Sequence, residues 1–181
     1  MSHVPRRRLQ RAWIVVPALL VGGCASAVPV DPAAHATDPA CAALVLATPD
    51  SLGDGLARRR TTAQATTAWG DPAIVLRCGV EPPGPTTERC VTVQSAQGPS
   101  IDWLVVQDGA TGGATAGPTP TGQPTAGSTP GTSDWTFTTY GRVPAVEVHV
   151  PAAVAAARST TFLDGLATAI AAHTQQQRSC L

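Results

Sequence analysis

The chain has no lysine, few aromatic residues and little charge. Its twelve basic residues are all arginines and equal its twelve acidic residues in number, and aromatic residues make up 4% of its 181 positions. This balance excludes a strongly basic nucleic-acid binder. Seventeen glycines and seventeen prolines exclude a coiled coil, and the lack of repeated apolar runs excludes a membrane protein of several spans. We expect one small domain with attachments.

The sequence also lacks the motifs of common catalytic and cofactor sites. It contains no GxSxG, SxxK or HExxH, no P-loop and no dinucleotide fingerprint. Without a CxxC spacing, a zinc site is disfavoured as well. We therefore predict no cofactor and no metal, and favour a non-catalytic binding or accessory role.

The N-terminus has the order of a bacterial lipoprotein signal. Arg6, Arg7, Arg8 and Arg11 precede the uncharged, apolar stretch 12–23, and Val21-Gly22-Gly23-Cys24 resembles a lipobox. The Cys24 thiolate would take a diacylglyceryl group, and small residues before it would let a peptidase reach the backbone. We predict a signal peptide over residues 1–23, lipidation at Cys24 and anchoring at the extracytoplasmic face of the cell membrane.

Two alternatives for this segment stay open. Residues 12–30 are 19 positions without a charge, close to the roughly 20 that span a bilayer, so the segment could be an uncleaved anchor; Pro17 and Pro29 count against it. Ordinary secretory cleavage is the third possibility. All three place the rest of the chain outside the cytoplasm, because the arginines stay inside.

Removing residues 1–23 takes away four of the twelve arginines and no acid, so the mature chain is negative. The membrane, through the anchor, is the one partner predicted; the envelope partner or ligand is unknown, and nucleic acid is not expected.

Composition divides the remainder into three parts. Residues 24–37 are rich in Ala, Pro and Val without periodicity and predict a flexible tether. Residues 38–181 predict a single domain. Within it, 109–133 is a stretch of 25 residues rich in Gly, Thr and Pro that has no core-forming side chain, so we expect a disordered insertion.

Periodicity predicts an α+β domain. Asp38 and Pro39 have the pattern of a helix start, and Pro49 ends that helix. Phe162, Leu163, Leu166 and Ile170 share one face of a C-terminal helix. Five strands are predicted by alternating or apolar runs at 73–78, 89–94, 101–107, 135–140 and 145–150. We expect a small, mainly antiparallel sheet of four to five strands with the N- and C-terminal helices packed on it. Disulfides are expected to crosslink this domain.

Four cysteines are left after Cys24, and an even number in an exported chain favours two disulfides. Cys41, Cys78, Cys90 and Cys180 allow three pairings. We favour Cys78–Cys90, which closes a short turn-forming stretch, and Cys41–Cys180, which joins the domain ends. Free buried thiols are the alternative.

Two blocks of sequence resemble a known family. The first is Trp69-Gly70-Asp71-Pro72-Ala73-Ile74-Val75-Leu76-Arg77-Cys78-Gly79-Val80, followed by Pro82, Cys90 and Trp103; the second is Thr139-Tyr140-Gly141-Arg142-Val143-Pro144-Ala145-Val146-Glu147-Val148. Together they resemble the actinobacterial domain-of-unknown-function family 3515. The resemblance implies a secreted or membrane-tethered envelope protein and carries no established activity or site residues. The insertion departs from the family pattern.

Possible ligand-binding residues are Arg77, Arg142, Asp71 and Trp69. The two arginines suit an anionic ligand such as a carboxylate or phosphate. In the structural alternative, Asp71 closes a turn and each arginine pairs with a carboxylate or carbonyl oxygen.

Three further functions are weighed against simple binding. Trp69, Trp103 and Trp135 could form a sugar-stacking surface, although in a chain this poor in aromatics they more often build the core. An envelope hydrolase could use carboxylates such as Asp71 and Asp102. A purely structural spacer is the last alternative.

Overall fold

A seven-stranded antiparallel sheet is the centre of the fold. The computed structural model describes residues 26–53, 55–96, 98–108 and 133–181. The predicted signal peptide, Cys24 and nearly all of the predicted insertion lie outside these residues. In the described part, no helix is both long and apolar enough to cross a membrane.

The described elements alternate between strands and short helices. The strands are β1 (Arg58–Arg59), β2 (Thr66–Trp69), β3 (Ile74–Val80), β4 (Cys90–Gln94), β5 (Ser100–Gln107), β6 (Trp135–Thr139), β7 (Arg142–Val143), β8 (Ala145–Val150) and β9 (Gln175–Gln176). The helices are α1 (Pro39–Ala47), α2 (Ala152–Ala157), a 3-10 turn (Thr160–Leu163) and α3 (Asp164–His173). The sheet order is β1-β2-β3-β8-β6-β5-β4, and β7 pairs separately with β9.

The class of fold is confirmed, but the predicted strand number is wrong. The main sheet has seven strands instead of four or five, and β1 and β2 are the strands that periodicity missed. All four residues of β2 are buried, so the strand shows no alternation of apolar and polar side chains. With only two residues, β1 is too short to carry a pattern.

The two faces of the sheet differ in character. One face, here called the helix face, carries Ile74, Leu76, Val146 and Val148 and packs against α1 and α3 in the main core. Helix α1 begins as the sequence predicts, because the Asp38 carboxylate accepts a hydrogen bond from the Ala40 amide at 2.8 Å. The opposite face, here called the open face, carries polar side chains at Arg77 of β3, Thr136 and Thr138 of β6, and Glu147 and His149 of β8.

The four cysteines form two disulfides, and the favoured pairing is wrong. Cys41 of α1 bonds Cys78 of β3, with 5.4 Å between Cα atoms, and Cys90 of β4 bonds Cys180 in the C-terminal tail, with 5.8 Å. Three strands separate β3 from β4. The register also places Cys78 on the helix face and Cys90 on the open face. A Cys78–Cys90 bond would have to cross the sheet.

The segment expected to be a flexible tether pairs with the domain from Val28 onward. Val28 forms a parallel bridge with Thr61, and the His35 amide donates to the Gly79 carbonyl at 2.8 Å. Gly79 has a φ of +87°, and a Cβ at this position would collide with the His35 carbonyl. The sequence does not indicate these contacts, because backbone pairing of an irregular segment leaves no periodic signal.

Candidate functional site

A cavity of about 290 Å³ lies on the helix face at the end of the sheet formed by β4, β5 and β6. The strand register builds it, because Val91 is opposite Trp103 and Val105 is opposite Phe137. The second wall comes from α2 and the 3-10 turn that follows. Nine of its eleven lining residues are apolar, and the full set is Arg89, Val91, Val93, Trp103, Val105, Trp135, Phe137, Val150, Ala155, Thr160 and Phe162.

The cavity exists because the helices leave this end of the sheet incompletely covered. Helices α1 and α3 pack over β3 and β5, whereas β4 is the edge strand. Val91, Val93, Val105 and Trp135 are accordingly only half-buried. Trp103 forms the floor with no exposed surface, and its ring meets that of Phe137 edge-on with 6.4 Å between centroids.

Two polar groups of the lining differ from the rest, one by its burial and one by its charge. The Trp103 indole Nε1 is buried and makes no hydrogen bond among the described residues. The exposed Arg89 guanidinium forms no ion pair within the same part of the chain and is the one charged side chain that this part contributes to the lining. The Trp69 indole is different, since its Nε1 donates to the Pro49 carbonyl at 2.9 Å. The cavity therefore combines apolar walls with one guanidinium and one buried donor that have no partner in the described residues.

Three of the four predicted ligand residues lie apart from one another, each with a partner of its own. The Arg77 guanidinium binds the Glu147 carboxylate on the neighbouring strand, with 2.8 Å between Nη2 and Oε1. Asp71 is exposed and lies 3.6 Å from an Arg59 nitrogen, while Trp69 is fully buried in the core. Each has a separate partner, so the structure does not gather them into one site.

The fourth, Arg142, is buried beneath the C-terminal tail. Its guanidinium donates to the Thr174 hydroxyl at 3.2 Å and to the Gln176 side-chain carbonyl at 3.0 Å. Burial lowers the pKa of the Arg142 guanidinium, and the negative charge of Asp102 opposes that shift. Asp102 accepts from the Thr92 hydroxyl at 2.6 Å and from the Cys180 amide at 3.0 Å. Both Asp102 oxygens are thus engaged, one by β4 and the other by the tail.

A second cluster lies on the open face, where β5 ends and β6 begins. His149 lies between two carboxylates: its Nδ1 is 3.5 Å from an Asp108 oxygen, and its Nε2 is 3.4 Å from an Asp134 oxygen. The other Asp134 oxygen accepts a hydrogen bond from the Ala152 amide at 2.7 Å. One ligand atom from each of the three side chains lies within 4.8 Å of the others, a grouping that could hold a cation. No local pattern indicates this cluster, because the two aspartates flank the long insertion.

The fold and this cavity define a small, disulfide-bonded α+β domain with an apolar cavity at one end of its sheet. The chain belongs to the family described as protein of unknown function DUF3515, whose model matches residues 23–179. The family prediction is therefore confirmed. No curated protein and no solved structure matches the chain significantly.

The cavity residues were not singled out together by the sequence. The sequence indicates Trp103 and Trp135 as core or sugar-stacking residues, and no pattern in it indicates Arg89 as a ligand residue. Their proximity depends on the order of β4, β5 and β6, which the sequence does not encode locally. The nearest available signal was the alternation Arg89, Val91, Val93 along one strand side.

Proposed function

We propose that this chain is a lipid-anchored protein of the cell envelope, held at the extracytoplasmic face of the cell membrane, which binds a small apolar ligand without catalysing a reaction. The observation that carries the binding role is the preformed cavity of about 290 Å³. Its volume is at the lower end of the roughly 300–1,000 Å³ typical of small-molecule sites. Predominantly apolar walls with a few polar groups are also typical of such sites.

The cavity lining supports binding rather than catalysis. Among the described residues, its only polar side chains are Arg89 and Thr160, apart from the indoles of two tryptophans. A hydrolase needs a general base within hydrogen-bond reach of its nucleophile. The described part of the lining contains no carboxylate, imidazole or thiol. Within that part, Thr160 therefore has no base beside it.

The disulfides support the proposed location. Two disulfides in a domain of this size are typical of proteins that fold in an oxidising compartment. Cys24 follows an apolar segment and two glycines, the order that lipoprotein processing needs. Acylation by two or more chains would anchor the protein stably, whereas one chain binds membranes weakly.

Filling part of the cavity should weaken binding. Ala155 lines the cavity, whereas the neighbouring Ala156 is exposed on the same helix, so Ala155→Leu and Ala156→Leu form a matched pair. We expect Ala155→Leu to weaken binding of neutral N-phenyl-1-naphthylamine by about tenfold or more, because displacing two ligand carbons costs ~1.6 kcal/mol. The protein is the unacylated mature chain, residues 24–181 with Cys24→Ser, and dye fluorescence gives the affinity.

Ala156→Leu should bind the dye like the parent chain. The thermal midpoints of both variants check that the fold is intact. Equal affinities of the two variants, or no saturable dye binding by the parent chain, would contradict the binding role.

The anchor has its own test. In cells grown with radioactive palmitate, the full-length protein should be labelled and sediment with membranes, while Cys24→Ala should lose the label completely, because the acceptor thiol is gone. Ser26→Ala, two residues further on, is the control and should remain labelled. An unlabelled parent protein that still carries residues 1–23 would instead identify an uncleaved anchor.

A further inference from the structure

We infer that the ligand of this cavity is an anionic amphiphile, with its alkyl chain between the apolar walls and its carboxylate or phosphate head beside Arg89 and the Trp103 indole. This inference rests on the proposed binding function and names the chemistry of its ligand. Two independent features of the lining carry it: an unpaired cation and a buried donor without an acceptor.

Arg89 supplies the positive charge. It is the one charged residue among those that line the cavity, and no carboxylate of the described residues forms an ion pair with it. A guanidinium presents a planar fork of donors that matches the oxygens of a carboxylate or phosphate. Because no acidic side chain shares the lining, an anionic head would meet one favourable charge there and no repulsive one.

Trp103 supplies the unsatisfied donor. Within the described residues, its Nε1 is one of two buried side-chain nitrogens without a hydrogen-bond partner. The other, Arg142 Nε, belongs to a guanidinium whose remaining nitrogens are already bonded. A buried donor left unpaired is costly. Nε1 has no exposed surface in this structure, so an oxygen of the ligand head removes that cost only where the neighbouring side chains move apart to admit it, whereas a pure hydrocarbon leaves it.

The apolar walls accept a single chain of modest length. Phe137, Val105 and Phe162 offer only carbon to a ligand, and the cavity of about 290 Å³ is too small for a polymer or a multi-chain lipid. Each added methylene should strengthen binding by about fourfold until the cavity is full. Longer chains should then show no further gain.

Calorimetric titration tests this chemistry with chosen probes. The unacylated mature chain is titrated with octyl, decyl and dodecyl carboxylates, alkyl phosphates and alcohols, each below its aggregation threshold. We expect either anion to bind about tenfold or more tightly than the alcohol of equal length, because hydrogen bonds to a charged group are stronger than neutral ones. A carboxylate preferred over the phosphate indicates a fatty-acid head, and the reverse indicates a phospholipid-type head.

Two arginine variants distinguish a direct contact between Arg89 and the ligand head from an effect of the protein's net charge. Arg89→Gln should lose the preference for anions and keep its affinity for the alcohols. Arg60→Gln removes the same charge from an exposed arginine outside the cavity lining and should keep the preference. Trp103→Phe, which keeps a ring but loses the donor, should weaken anion binding more than alcohol binding.

Three results would overturn the inference. Equal affinity of the parent chain for anions and alcohols would show that the ligand needs no anionic head, and a preference for anions that survives in Arg89→Gln would show that Arg89 does not bind that head. In both cases apolar binding, and with it the proposed function, would stand. If no probe of any charge binds, both fail together.

Discussion

Replacing Cys90 and Cys180 by serine is expected to lower the free energy of unfolding by about 4.5 kcal/mol. The two cysteines are 90 residues apart in sequence, and a crosslink that closes so long a loop removes much entropy from the unfolded chain. A small domain has a total stability of only about 5–15 kcal/mol. The C-terminal tail, which crosses β4 and β5 at the open face, should detach first.

Urea unfolding of the unacylated mature chain measures this effect. The matched comparison is Cys41→Ser with Cys78→Ser, which opens a loop of 37 residues and should cost about 3.8 kcal/mol. A loss below ~1 kcal/mol for the Cys90 pair would contradict its role as a structural crosslink. Peptide mapping that found Cys78 joined to Cys90 would contradict the topology itself.

Asp102→Ala is expected to destabilise the domain by about 3 kcal/mol. The substitution removes the acceptor of the Thr92 hydroxyl and of the Cys180 amide. It also leaves Arg142 buried without the negative charge that offsets its desolvation. Both side chains are almost fully covered, at 6% exposure for Asp102 and 5% for Arg142, so solvent cannot take over either role.

A double-mutant cycle isolates the charge part of this effect. Arg142→Met alone also destabilises, because hydrogen bonds to Thr174 and Gln176 are lost. When both charges are removed together, no unpaired charge is left buried. The double variant should therefore lose at least ~1 kcal/mol less than the sum of the single variants in urea unfolding. Additive losses would show that Asp102 and Arg142 act independently.

Local signals explain what could be predicted from the sequence. Asp38 and Pro39 marked the start of α1 because capping and the fixed φ of proline act within a few residues. The alternation at 145–150 predicted a strand, and β8 spans these residues. The class of fold followed from such segments.

Long-range geometry explains what could not be predicted. The disulfide pairing depends on which face of the sheet each cysteine occupies and on how many strands separate β3 from β4. Strand β2 was missed because burial on both faces removes alternation. The cavity required β4, β5 and β6 to be adjacent under α2, and no local pattern in Val91 or Trp103 indicates that order.

NMR spectra of the tryptophan indole N–H groups in the unacylated mature chain test the ligand site most directly. The unacylated mature chain, residues 24–181, lacks Trp13 and retains Trp69, Trp103 and Trp135 of the four tryptophans. On titration with decanoate, we expect the Trp103 signal to move downfield and saturate as its Nε1 gains an acceptor, and the Trp135 signal to shift as the cavity fills. The Trp69 signal should stay in place, because its Nε1 already donates to Pro49. A Trp103 signal that does not move at saturating decanoate, or three signals that move together, would contradict a ligand site in this cavity.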